Sequence, residues 1–277
     1  MTAATLKDVL QPAMTGGYAV AGLVVLGWED ARAYVEAAGE TGLPVILQAG
    51  PGCRAHTPLP VLGKMFRYLA EQAEVPVVCH LDHGYKPEEC FEAIDSGFTS
   101  VMFDGSRLEL SENIDITARI AEKAHAADVS LEGEVGFVGY ADGPASAGTN
   151  PDEAARFDRD SGADAMAISI GNVHLQTEKS DGIDFAALRA IEAVTTLPLV
   201  LHGGSGIPGD MRRKLASESR VSKFNIGTEL RMAFGEALRQ SLADQPDSFD
   251  RIALLAPTIP HVRAVASDII SAFGRPA

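Results

Sequence analysis

Short apolar runs alternate with longer amphipathic stretches along most of this chain. The runs are rich in Val, Ile, Leu and Ala and carry few charges, as is typical of strands that are buried on both faces of a parallel sheet. The pattern predicts eight strands, at 18–25, 45–49, 76–81, 99–104, 129–134, 164–170, 197–202 and 220–226.

The stretches between these strands have the 3.6-residue periodicity of helices packed on a sheet, for example at 29–40, 87–96 and 114–127. Gly42 and Gly97 are typical helix stops. Eight β-α units in 277 residues predict an α/β protein with one TIM (β/α)₈ barrel, for which about 250 residues are usual. We therefore expect a single catalytic domain over 1–277, with the segment after Thr228 adding the eighth helix and further C-terminal helices.

Charge and composition restrict the class of partner. The net charge of −15 argues against nucleic acid as a ligand, because a duplex-binding surface is normally basic. A phosphate ligand would need a local nest of backbone N–H groups and one or two cations. No apolar run approaches the ~20 residues that span a bilayer, and the N-terminus has no signal-peptide pattern, so we expect a cytoplasmic protein without membrane partners.

Polar residues cluster where the predicted strands end, which is where this fold builds its active site. His83, His174 and His202 each follow a different strand, and three imidazoles with an open fourth position suit Zn²⁺. The nearby carboxylates Asp104 and Glu134 could complete a second coordination arrangement.

Two further groups of residues at the strand ends predict substrate contacts. Asp82 precedes a predicted metal ligand, so as a carboxylate beside a cation it could serve as acid or base. The glycine-rich segment that contains Gly203 and Ser205, with Asn225 and Thr228 after the last strand, is placed where barrels commonly bind phosphate.

Six sequence motifs strengthen this interpretation: VPVVCHLDHG (75–84), GFTSVMFDGS (97–106), LEGEVG (131–136), ADAMAISIGNVH (163–174), LVLHGGSG (199–206) and KFNIGTEL (223–230). Through them the chain resembles the class II fructose-bisphosphate and tagatose-bisphosphate aldolases over nearly its whole length.

The resemblance implies a zinc-dependent, or otherwise divalent-metal-dependent, lyase that cleaves a ketose phosphate to dihydroxyacetone phosphate and an aldehyde. It implies zinc on His83, His174 and His202, alternative metal positions at Asp104 and Glu134, and Asp82 as the acid/base. It assigns the phosphate of dihydroxyacetone phosphate to Gly203, Ser205, Asn225 and Thr228, beside Na⁺ or K⁺. It also implies a mobile loop at 137–148 in which Asp142 exchanges protons, and a homodimer or homotetramer.

The sequence departs from the family pattern on the aldehyde side of the substrate. Residues 22–26 replace the Asn residues usual near the first strand, Leu175 replaces a common Gly, and Asp250-Arg251 only partly matches an Asp-Pro-Arg segment. We therefore expect the ketone-side phosphate to be bound, and an aldehyde other than glyceraldehyde 3-phosphate is an open alternative.

Three other functions are compatible with single features of the sequence. Lys223, near the last predicted strand, could form a Schiff base in a lysine-dependent aldolase, but the His and Asp residues would then be unexplained. A catalytically silent sugar-phosphate-binding relative would not need Asp82 and all three histidines. A metal-dependent hydrolase would normally have a His-x-His after the first strand, which is missing.

Overall fold

A computed structural model describes residues 2–180 and 182–273. Eight parallel strands close into a barrel in chain order, because the first and last strands of the barrel also pair with each other. A two-residue strand, β1, pairs with the start of β4 outside this cycle. The strands are β1 (Ala3–Ala4), β2 (Val20–Val24), β3 (Val45–Ala49), β4 (Val77–Gly84), β5 (Ser100–Phe103), β6 (Ser130–Val135), β7 (Ala165–Ile168), β8 (Leu199–Leu201) and β9 (Val221–Ile226).

All eight predicted strands are therefore confirmed, and so is the TIM barrel. The helices are α1 (Leu6–Gly16), α2 (Trp28–Thr41), α3 (Pro51–His56), α4 (Leu59–Gln72), α5 (Pro87–Asp95), α6 (Leu110–Ala126), α7 (Pro151–Asp160), α8 (Phe185–Glu192), α9 (Gly209–Glu218), α10 (Thr228–Asp244), α11 (Arg251–Leu255) and α12 (Thr258–Phe273). Gly42 and Gly97 have φ values of 67° and 95°, the left-handed conformation expected after a helix.

Helix α1 closes the lower end of the barrel and was not predicted. Leu6, Leu10 and Ala13 are fully buried in one cluster with Val78 and Val200 of the barrel interior. The helix begins at a capping box between Thr5 and Asp8. Because its apolar face meets the inside of the strands, the N-terminal end of the barrel is packed and only the opposite end is open.

The C-terminal region confirms the predicted additional helices. Helix α10 follows β9 as the eighth barrel helix, the chain breaks between Asp244 and Arg251, and α11 and α12 follow. Helix α12 packs along α2 and α10. In the described part of the chain, no helix combines the length and the apolar character needed to cross a bilayer.

Candidate active site

Three histidines meet at the open end of the barrel. His83 is the last residue but one of β4, His202 follows β8, and His174 lies in the segment after β7. Their ring centroids are 4.6 Å apart for His83 and His202, 5.2 Å for His83 and His174, and 5.4 Å for His174 and His202. One ring nitrogen from each lies within 4.8 Å of the other two. The structure thus brings together the three histidines that the sequence predicted as ligands.

The orientation of His202 fits metal binding. Its Nε2 is 3.2 Å from Glu132 Oε1, and because an ionised carboxylate only accepts, Nε2 carries the hydrogen. Its Nδ1 is buried and has no hydrogen-bond partner among the described residues. A buried lone pair without a partner is costly unless a cation or a donor satisfies it.

The backbone at His83 is held in an unusual conformation. His83 has a φ of 52°, the left-handed region that is rare for side chains other than glycine. The guanidinium of Arg54 donates to the carbonyl oxygens of Asp82, at 2.7 Å, and of His83. These bonds fix the end of β4 and therefore the direction of the His83 ring.

A second group of ligands shares His83. His83 Nδ1 is 2.7 Å from Asp104 Oδ2 and 3.9 Å from Glu134 Oε2, and these atoms also lie within 4.8 Å of one another. Glu134 Oε2 is 3.8 Å from His202 Nδ1 and has no hydrogen-bond partner among the described residues. Asp104 and Glu134 therefore lie beside the histidines, as expected for the second set of metal ligands that the sequence predicted.

The electrostatics of the cluster are those of a cation site. Burial lowers the pKa of His83, but Asp82, Asp104 and Glu134 outweigh it and raise that pKa to about 9. Burial and the nearby His83 lower the pKa of His174 to about 4. Burial, with the charge of Asp104, raises the pKa of Glu134 to about 8. Without a metal, the protonated His83 imidazole supplies the positive charge beside Asp82 and Asp104, and a divalent ion would take that place.

A buried network that the sequence did not reveal supports this cluster from below. Lys223 Nζ lies 2.6 Å from Glu132 Oε2 and 3.2 Å from His80 Nε2. His80 Nδ1 is 2.8 Å from Ser100 Oγ, and burial and Lys223 lower the pKa of His80 well below its usual value. The side chains of His80, Glu132 and Lys223 are completely buried, so Lys223 is unavailable to a substrate carbonyl.

Asp82 lies beside the histidine cluster and faces a cavity of about 280 Å³. Its Oδ1 accepts a hydrogen bond of 3.0 Å from Asn225 Nδ2. Asn225 is itself nine-tenths buried, and its Oδ1 has no partner among the described residues. The amide thus holds Asp82 in place and also presents an unused acceptor.

The glycine-rich segment forms one wall of the same cavity, which Gly203, Ser205, Asn225 and Thr228 all line. Gly203 has a φ of 65°, and a Cβ there would lie 2.1 Å from the carbonyl oxygen of Val173, so only glycine fits. Ser205 Oγ accepts from the N–H of Gly227, just before α10. The four residues predicted for phosphate binding are therefore together at the N-terminus of a 17-residue helix.

The same cavity also has apolar lining residues. Val24 and Leu26 line it, together with the backbone of Gly50 and Gly52 and the side chain of Leu175. Leu175 has a φ of 59°, so a leucine adopts a backbone conformation that favours glycine, and its side chain is half exposed at the rim.

The loop between β6 and α7 covers the other side of the histidines. Its Tyr140 ring stacks on His174 with the centroids 4.9 Å apart, and Phe137 pairs with Ala147 across the loop. A second cavity of about 470 Å³ lies under this loop and shares His83 and His174 with the first. Asp142 is exposed and lines neither cavity, so the structure does not bring this predicted residue to the cluster.

The closed barrel and the histidine–carboxylate cluster at its open end define a TIM-barrel protein with a candidate divalent-metal centre. The family model "Fructose-bisphosphate aldolase class-II" matches residues 4–276, and the chain belongs to this family. Its relatives are named aldolases, which places the chain among the lyases.

Several relatives match along their whole length. The fructose-bisphosphate aldolase of Geobacillus stearothermophilus is 35% identical over 281 residues, covering 99% of this chain and 98% of the relative. The 6-phospho-5-dehydro-2-deoxy-D-gluconate aldolase of Bacillus licheniformis is 36% identical over 282 residues, covering 99% and 96%. Among solved structures, the YdjI aldolase of Escherichia coli K12 matches with a TM-score of 0.87 and 30% identity, covering 99% of this chain and 98% of that one.

Proposed function

We propose that this protein is a zinc-dependent class II aldolase that reversibly cleaves a ketose phosphate, a 1-phosphate or a 1,6-bisphosphate, to dihydroxyacetone phosphate and an aldehyde. The observation that carries the proposal is the convergence of His83, His174 and His202, with a buried ring nitrogen on His202 that has no hydrogen-bond partner in the described part of the chain. Three imidazoles with one position left for substrate are a typical catalytic zinc set.

The residues around the cluster take separate roles in this proposal. His83, His174 and His202 hold the divalent ion, and Asp104 and Glu134 offer it alternative ligands. A bound divalent ion would supply Lewis-acid stabilisation of negative charge on the ketone half of the substrate.

Asp82 acts as the acid/base. In the cleavage direction it accepts the proton of the hydroxyl that becomes the aldehyde oxygen, while the adjacent carbon–carbon bond breaks. Asn225, which donates to Asp82 Oδ1, keeps the other carboxylate oxygen directed toward the cavity. The ketone half then takes up a proton at the former bonding carbon, and we assign that exchange to Asp142 after movement of its loop.

The ketone-side phosphate lies against Gly203, Ser205, Asn225 and Thr228 in this proposal, with Na⁺ or K⁺ nearby. Support comes from their shared cavity and from the N-terminus of α10, whose N–H groups and dipole favour an anion. We further propose that the enzyme acts as a homodimer or homotetramer.

An aldehyde without a phosphate is a second candidate for the partner substrate. The apolar side chains of Val24, Leu26 and Leu175 in the cavity lining support it, because these three side chains offer no donor to a second phosphate. The relatives' names cover two different substrates, so the family alone does not decide between aldehydes.

Retro-aldol assays would test the function. We expect dihydroxyacetone phosphate to be released from at least one member of a panel of ketose 1-phosphates and 1,6-bisphosphates. EDTA should abolish this release and added zinc should restore it, whereas borohydride should have no effect. Inactivation by borohydride with resistance to EDTA would instead indicate a Schiff base on a lysine. Metal binding without cleavage of any member would indicate a silent sugar-phosphate-binding protein.

A further inference from the structure

The end of β4 departs from a regular strand at Asp82 and His83. Its pairing with β5 is regular up to Leu81 and resumes at Gly84, and in between two residues of β4 oppose one residue of β5. This is the register of a β-bulge, and neither Asp82 nor His83 is paired with a residue of β3 or β5. The carbonyl groups of the two bulged residues therefore need donors from outside the sheet.

The bulge gives the site two neighbouring side chains from one strand. In a regular strand, successive side chains point to opposite faces. Leu81 packs in the core between strands and helices, and Asp82 faces the cavity at the barrel mouth. By this alternation His83 would point outward again, but with its φ of 52° it lines the same cavity as Asp82. The irregular backbone is thus what brings the candidate acid/base and a candidate metal ligand together.

One guanidinium donates to both bulged carbonyl groups. Arg54 is in the short helix α3, and its side chain is only 8% exposed. Its Nη1 donates to the carbonyl oxygen of Asp82 at 2.7 Å, and its Nη2 donates to that of His83. Successive carbonyl groups point in opposite directions along a strand, but in the left-handed conformation they point to the same side. The planar fork of Arg54 can therefore hold both carbonyl groups only while His83 keeps its left-handed backbone.

Neighbouring elements hold the guanidinium in this position. Nη1 of Arg54 also lies 3.4 Å from the carbonyl oxygen of Ala49 at the end of β3, and Nη2 lies 3.4 Å from Glu89 Oε2 on α5. The same oxygen of Glu89 accepts a hydrogen bond of 2.8 Å from the N–H of Tyr85, just after the bulge. Arg54 thus connects the end of β3, the bulge of β4 and the start of α5 at the barrel mouth.

We propose that Arg54 is a positioning residue for the aldolase reaction, because it holds the bulge that directs Asp82 and His83 into one cavity. This assignment rests on the proposed function, but its effect on metal binding can be measured independently. Arg54 lies outside the six sequence motifs, so their pattern did not indicate this role. Without the guanidinium the two carbonyl groups lose their donors, and the backbone can relax into a conformation that turns the His83 ring away from the other two histidines.

Arg54→Ala tests the assignment through metal affinity and turnover together. In competition with a chromophoric chelator, starting from the metal-free protein, we expect zinc affinity to fall about 10–100-fold, the usual cost of losing a partner that orients a metal ligand. The kcat for the ketose phosphate should fall about tenfold or more, while its KM changes by less than about threefold, because Arg54 lines neither cavity. Millimolar guanidinium ion should recover part of both losses, since it can occupy the space of the deleted group.

Arg220→Ala is the matched control. Arg220 is also half-buried and also donates to a backbone carbonyl oxygen, that of Glu192, but it precedes β9 at the closed end of the barrel. We expect this variant to lose stability without a change in zinc affinity or a response to guanidinium ion. Arg54→Lys keeps the charge and most of the stem if Arg54→Ala does not fold. Because one ammonium cannot copy the planar fork, its zinc affinity and kcat should also stay well below wild type.

Zinc affinity and kcat within twofold of wild type in Arg54→Ala, or in Arg54→Lys, would overturn the assignment while leaving the aldolase function intact. The assignment is likewise overturned if guanidinium ion recovers nothing in Arg54→Ala and Arg220→Ala shows the same losses, because both would then reflect lower stability alone. A wild-type protein that binds zinc but cleaves no ketose phosphate would instead refute the proposed function. A guanidinium-responsive loss of zinc affinity in Arg54→Ala would still support the positioning of His83 in that case.

Discussion

The two sides of the barrel mouth are built differently. On the side of the histidines and Asp82, hydrogen bonds fix the side chains: Glu132 of β6 orients His202, and Asn225 of β9 holds Asp82 of β4. On the side of β2 and β3, Val24 and Leu26 present apolar surface, and Gly50 has no side chain to present. The first side has the rigid, preorganised side chains that catalysis needs. The second side leaves space that different aldehydes can fill. The difference indicates that the reaction type and the aldehyde preference are determined by separate parts of the molecule.

The largest effect should come from the acid/base on the rigid side. Asp82→Ala should lower kcat by about a hundredfold to ten-thousandfold, the usual contribution of a positioned general base. The zinc content should stay at the wild-type level, because Asp82 belongs to neither group of metal-ligand candidates. Steady-state kinetics with parallel metal analysis would measure both quantities. Near-full activity in this variant would show that another group moves the proton.

The buried ion pair below the histidines should have the largest effect on stability. Lys223→Met leaves Glu132 buried beside His202 without its counter-ion, so we expect the free energy of unfolding to fall by about 3–5 kcal/mol. Urea unfolding of the metal-free protein would measure the change. In the double variant Glu132→Gln with Lys223→Met, much of the loss should be recovered, because the uncompensated charge is gone. A double variant no more stable than Lys223→Met would show that the loss has another cause.

A smaller effect is expected from the hydrogen bond that orients His202. Glu132→Gln replaces the ionised acceptor of the Nε2–H by a neutral amide, and we expect zinc affinity to fall about 10–100-fold. Competition with a chromophoric chelator measures that affinity without relying on activity. Glu112→Gln, an exposed substitution on α6, is the control and should bind zinc as the wild type does. Unchanged affinity in Glu132→Gln would remove Glu132 from the metal centre.

The smallest effect concerns the β2 side, where a glycine makes room for a buried amide. A Cβ on Gly22 would lie 2.0 Å from Gln48 Oε1 and 3.1 Å from Asn225 Oδ1. Gly22→Ala should therefore cost about 1–3 kcal/mol of unfolding free energy through overpacking. It should also reduce turnover, because the displaced Asn225 would no longer hold Asp82.

Gly39→Ala is the matched control for that substitution. Gly39 is exposed in α2 and nothing lies within 4 Å of its added Cβ, so alanine should stabilise the protein by about 0.5–1 kcal/mol. If Gly22→Ala were as stable and as active as the wild type, the two sides of the mouth would not be coupled through Asn225.

The strands and the convergence of the three histidines could be predicted from the sequence because both signals are local. Buried parallel strands are uniformly apolar, and in a barrel any polar residue at the C-terminal end of a strand faces the same opening. The pairing of His80, Glu132 and Lys223 was not predictable in this way. It depends on the register of β4, β6 and β9, which places these three side chains at one level inside the barrel.

Two other features lay beyond sequence patterns for different reasons. The role of α1 as a plug depends on which face of a short amphipathic helix meets the barrel interior, and periodicity alone does not show its partner. The part played by Asp142 depends on a conformation of its loop that brings the carboxylate inward, and it stays a prediction. At Leu175 the backbone has a left-handed φ of 59°, the conformation that favours glycine, although the residue is leucine.

Anomalous diffraction at the zinc edge, from crystals of the zinc-loaded protein, tests the central claim most directly. The account predicts one strong peak within about 2.0–2.1 Å of a ring nitrogen from each of His83, His174 and His202, with Nδ1 as the ligand atom of His202. Crystals without a peak among these three rings, although zinc is bound elsewhere on the chain, would contradict it.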